Sequence, residues 1–117
     1  VQLDRFEGIL DAQIMRVRDI LGVKRAEYAD VDVLANFKKV AHLRGCSVSQ
    51  AISGMLAKHT VSIFDMVEGG KEYSVEVWDE KITDHINYLI LLRASLAETT
   101  EDSELEGFSP THSTPGA

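Results

Sequence analysis

Proline is almost absent. The chain holds two, Pro110 and Pro115, both in its last eight residues, so nothing before them forbids a continuous helix. Cysteine is scarcer still: Cys46 alone excludes an intrachain disulfide framework and a multi-cysteine zinc site. No apolar run approaches the roughly 18 residues that a membrane span needs, and no basic-then-apolar stretch reads as a secretory signal. These absences lead us to expect a cytoplasmic protein without membrane attachment. A broad basic surface is lacking too. Residues 1–60 carry nine Lys/Arg against seven Asp/Glu, a net of +2, whereas residues 61–117 carry three against twelve, a net of −9. Non-specific nucleic-acid binding wants a basic face, so nucleic acid is not an expected partner.

What is present is ordinary globular chemistry in 117 residues, 44% hydrophobic and 26% charged. Leu3, Phe6, Leu10, Ile14, Val17 and Leu21 recur at three- and four-residue intervals and end at Gly22, which predicts an amphipathic helix over 3–21. Asp32 is placed to cap a second helix, with Leu34, Phe37, Val40 and Ala41 on its apolar face and Gly45 as its stop. Ser47 and Gln50 have capping-box spacing, and the stripe Ile52, Met55, Leu56, His59, Ile63, Met66, Val67 runs on to Gly69-Gly70. Ser74 is placed to cap a fourth helix, with Trp78, Ile82, Ile86, Leu89, Leu92 and Leu96 as its expected buried face. Tyr88–Leu92 is apolar nearly all round, so this helix should be central or lie in an interface between chains.

From Thr99 the composition turns acidic, with four Asp/Glu, no Lys/Arg and both prolines. The expectation is an all-α four-helix bundle over 1–98, with helices at 32–44, 48–68 and 75–98 after the first, and a flexible acidic tail over 99–117. So small a bundle buries a limited core, and self-association to a dimer or higher oligomer, through the third and fourth helices, is expected to complete it.

The fourth helix offers the best chemistry. Glu80, Asp84 and Asn87 fall at i, i+4 and i+7, within about 60° of one another on the helix surface. Two carboxylates a turn apart, followed by an amide, are oxygen ligands suited to Mg²⁺. The bland alternative is a solvated acidic face. His59 sits on an apolar stripe, where a histidine is usually a satisfied core residue, and Lys58 beside it could meet a phosphate. Phosphate-binding glycine loops, nucleophile elbows and H-E-x-x-H helices are all missing, which removes conventional hydrolase and kinase readings.

The run Lys24-Arg25-Ala26-Glu27-Tyr28, then Leu34-Ala35-Asn36-Phe37, then Lys58-His59, then Glu80 through Tyr88, resembles small phage and prophage proteins related to the MazG-like all-α nucleoside triphosphate pyrophosphohydrolases. The resemblance covers roughly residues 6–97. It implies a nucleotide ligand, Mg²⁺ held by acids on two neighbouring helices, and the cytoplasm of a phage-infected host cell. Carried over by position, Lys24, Tyr28, Asn36, Lys58, His59 and Asn87 would contact nucleotide, and Glu80 and Asp84 would hold metal. The family's E-x-x-D motif corresponds to Glu80 and Asp84, here four apart. Its E-E-x-x-E motif has no counterpart, since the third helix carries Lys58, His59, Ser62 and Asp65 instead. That departure points to binding or weak hydrolysis more than to efficient turnover, and no catalytic residue is assigned. A non-enzymatic helical protein that binds a host or phage partner, or an accessory of the phage particle, is the alternative.

Overall fold

The computed structural model describes residues 1–22 and 32–107, with side chains as far as Thr99. All four helices expected from the periodicity are present, and the described residues contain no strand. They are α1 (Leu3–Leu21), α2 (Ala35–Arg44), α3 (Val48–Glu68) and α4 (Val75–Gly107). No helix is long and apolar enough to cross a membrane.

Local chemistry explains most of the boundaries. Before α3, Ser47 Oγ accepts from the Gln50 amide at 3.0 Å while Gln50 Oε1 accepts from the Ser47 amide at 2.9 Å, a complete capping box. Ser74 Oγ accepts from the Val77 amide at 3.2 Å ahead of α4. Gly45, at φ 68°, closes α2 in the left-handed conformation that glycine adopts without steric cost. Gly69 is required for space instead: a Cβ there would sit 2.8 Å from the Asp65 carbonyl oxygen.

Two boundaries differ from expectation. Asp32 accepts from the Leu34 amide at 2.9 Å in a turn that precedes α2, so the helix starts at Ala35 and not at the aspartate. At the other end, α4 runs nine residues past the expected stop at 98. The change at Thr99 is one of charge; Thr99–Glu106 contains neither glycine nor proline, so nothing in it breaks a helix.

Helix α4 is the spine. Helix α1 packs against it on one side and α3 on another, α2 packs on α3, and α1 approaches no other described helix. Among the described residues the apolar core is small: Leu34, Ala41, Ala51, Ile52 and Met66, of which only Leu34 and Ile52 are large and fully enclosed. The expected buried face of α4 is used only in part: Trp78, Ile86 and Leu92 are half-buried. Ile82, Leu89 and Leu96 are 39–48% exposed, and the buried positions are Thr83, Asn87 and Ser95. Flanked on two sides, α4 turns its smaller polar side chains toward its neighbours and leaves its widest apolar face outward.

Lys38 links the start of α2 to the spine. Its ammonium lies 2.7 Å from Asp32 Oδ2 and 3.3 Å from Glu98. The hydrogen bond from Lys38 holds the Asp32 carboxyl below its ordinary range, helped by the Leu34 amide; the same bond, then that to Glu98, raises the Lys38 ammonium. A depressed carboxyl stabilises the fold above its unfolded value and loses that contribution as pH falls through the folded one. A raised ammonium contributes below its unfolded value and loses it as pH rises through the folded one.

Two outcomes are expected. Ser47→Ala should cost about 1 kcal/mol in a urea melt. Lys38→Met should be less stable than the parent by a constant margin across neutral pH, a margin that shrinks below about pH 4 as the Asp32 carboxyl protonates.

Candidate functional site

The spacing argument for Glu80 and Asp84 is met in space. Both line a groove of about 440 Å³ between α1 and α4, with Arg16, Asp19 and Ile20 from α1 and Glu76, Asp79 and Thr83 from α4. Asp84 is half-buried, Glu80 is exposed, and Thr83 forms the buried floor.

One hydrogen-bonded run crosses the groove. Gln13 Nε2 donates to Thr83 Oγ1 at 2.9 Å, Arg16 Nη2 donates to Gln13 Oε1 at 3.1 Å, and the same Nη2 lies 3.5 Å from Asp79 Oδ1. This run registers α1 against α4 and engages one nitrogen, Nη2, of the groove's one arginine. Asp19, Glu76, Glu80 and Asp84 form no ion pair among the described residues, so the groove is open and strongly acidic. Acidic side chains are numerous there without converging: among the described residues no three His, Cys, Asp or Glu side chains form a group that could hold a metal ion. A Mg²⁺ ion held by Glu80 and Asp84 would have to complete its near-octahedral oxygen set from water or a ligand.

The remaining predicted contacts are divided. Asn36 lines a second groove of about 500 Å³ between α2 and α3, bounded also by Phe37, Arg44, Met55 and Tyr88. His59 is half-buried, and its ring lies 4.8 Å from that of Tyr88 at a 33° tilt; Phe37 meets the same tyrosine edge-on at 6.0 Å. These contacts make His59 part of an aromatic cluster joining α2, α3 and α4. Lys58 is exposed and lines neither groove. Lys24 and Tyr28 lie outside the described residues.

Asn87 is 5% exposed, and neither its Oδ1 nor its Nδ2 has a hydrogen-bond partner. It shares a face with Glu80 and Asp84, as its spacing requires, and sits one turn beyond Thr83. A buried amide with no partner costs on the order of 1–3 kcal/mol; among the described residues Arg16 Nε is likewise buried without a partner, but only Asn87 has both its polar atoms stranded. Ser95 is satisfied: it donates to the Leu92 carbonyl at 2.7 Å and receives Ser49 Oγ at 2.9 Å.

Sequence reasoning overlooked Gln13 and Thr83, and it read Arg16 only as one of several candidates for a local basic pocket, without placing it beside Glu80 and Asp84. A signal existed, because Thr83, Asn87 and Ser95 are four and eight residues apart and so fall on one side of α4. It was masked by the stronger apolar stripe on the opposite side.

No protein-family model, curated protein or solved structure shows significant similarity to this chain.

Asn87→Leu, which keeps the side chain's branching and removes the stranded amide, should raise stability by about 1 kcal/mol in a denaturant melt where the site accommodates the larger methyls. A loss of similar size would mean that the amide is satisfied in solution by a bound molecule.

Proposed function

We propose that this chain binds a nucleotide-like phosphate ester in the groove between α1 and α4, with a divalent cation entering as the ligand's own counter-ion. The observation that carries the reading is the meeting of Glu80 and Asp84 with Arg16 and Thr83 around one groove. Its volume is within the roughly 300–1,000 Å³ of small-molecule sites. Five carboxylates and one arginine repel a bare phosphate, whereas a phosphate already carrying Mg²⁺ presents a cation to Glu80 and Asp84 and leaves oxygens for Thr83 and Arg16. The MazG-like resemblance supplies the nucleotide class, and phage origin and host cytoplasm belong to the same proposal. Binding or slow hydrolysis suits the missing first acidic motif better than efficient turnover.

A second reading, a non-enzymatic helical interaction protein, is favoured by one specific observation. Not one residue of the 19-residue α1 is buried.

Thermal melts with nucleoside triphosphates, with and without Mg²⁺, separate the two. Under the first reading nucleotide and Mg²⁺ together raise the melting temperature, equivalent to about 2.7 kcal/mol at a hundredfold excess over Kd. The Glu80→Gln/Asp84→Asn double variant should lose that shift while melting, without ligand, no lower than the parent. Equal melting temperatures for the parent in every condition would overturn the nucleotide reading and leave the interaction protein.

A further inference from the structure

We propose that a second copy of this chain covers the outward apolar face of α1 and α4, the two α1 helices lying antiparallel across a two-fold axis. The proposal is independent of the nucleotide reading.

The face is built from both helices. Leu10, Ile14 and Val17 of α1 and Ile86 and Ile90 of α4 line a shallow groove of about 400 Å³ that is almost wholly apolar. It continues along α1 through Leu3 and Phe6, 71% and 49% exposed, and along α4 through Ile82 and Leu89. By helical rise the stretch from Leu3 to Ile20 is about 26 Å long, and two helices side by side make it roughly 20 Å wide. That is on the order of 500 Å² on each chain, near the upper end of what a monomer leaves exposed. Two such faces together reach the roughly 1,000 Å² that a specific interface needs.

Charge selects the occupant. Asp4, Glu7, Asp11 and Arg18 fall within about 60° of one another along one edge of the apolar stripe of α1, by helical spacing. Acids hold the N-terminal half of that edge and Arg18 the C-terminal half, where it borders the apolar groove. None of the four makes an ion pair among the described residues. In an antiparallel pair with its axis near the middle of α1, each Arg18 comes within a turn of the partner's Glu7. A parallel pair would place the two copies of this edge on opposite sides of the seam, where Arg18 meets none of these acids. Only the antiparallel pair sets the edge against its own copy, as an isologous interface requires, and there two Arg18–Glu7 contacts flank the approach of the two Asp11 side chains at the axis.

Light scattering coupled to gel filtration tests this on the full chain. The parent should elute at tens of micromolar with twice the mass of the 13.0 kDa chain. Arg18→Glu should weaken the dimer roughly five- to tenfold without loss of helical circular dichroism, and Glu7→Lys should do the same. The Glu7→Lys/Arg18→Glu double variant should restore the parent's dimer. A monomeric parent overturns the proposal and assigns the face to another protein. A dimer indifferent to both single charge reversals, or one that the double variant fails to restore, overturns the antiparallel arrangement.

Discussion

Everything else in the molecule hangs on the polar line that α4 buries. Thr83 receives Gln13 from α1, and Ser95 receives Ser49 from α3. Each such bond is worth only about 0.5–1.5 kcal/mol net. Their value lies in register. An apolar interface of leucines and isoleucines tolerates sliding by a fraction of a turn, but a side chain that must find one acceptor at 2.9 Å does not. Small polar residues also let the neighbouring helices approach α4 closely. The spine is therefore specified by its polar side, and the acidic groove exists where it does because Gln13 and Arg16 fix α1 over Thr83 and Asp79.

That arrangement gives the two faces of α4 different tasks. Toward its neighbours it presents threonine, asparagine and serine, with Glu80 and Asp84 at the edge of the same surface. Away from them it presents Ile82, Leu89 and Leu96. Among the described residues, the five buried apolar side chains, three of them larger than alanine, are few for a body of four helices.

Much of the architecture could be read from the sequence because its signals are local. Gly22 and Gly45 end their helices, the Ser47–Gln50 box opens α3, and Ser74 precedes α4, each through contacts within four residues. The pairing of Glu80 with Asp84 on one surface was legible for the same reason, since helical spacing alone sets it. What failed was the assignment of burial on α4. Periodicity locates the apolar stripe of a helix but cannot tell whether that stripe meets another part of the same chain. The contribution of Arg16 was invisible too: it depends on α1 meeting α4 across more than sixty residues of sequence, and no short motif encodes that. His59, read as a core residue or a ligand contact, is in the structure a stacking partner of Tyr88.

The order in which the helices touch has a kinetic consequence. Helices α3 and α4 are consecutive and joined by a short loop, so their pairing closes little chain and can form early. Among the described residues, helix α1 packs only on α4, the most distant helix in sequence, so its docking closes the longest stretch of chain. Its release likewise breaks contacts with one described helix. The N-terminal helix is thus the least tethered of the four, and its amides are expected to exchange with solvent before those of the α3–α4 hairpin.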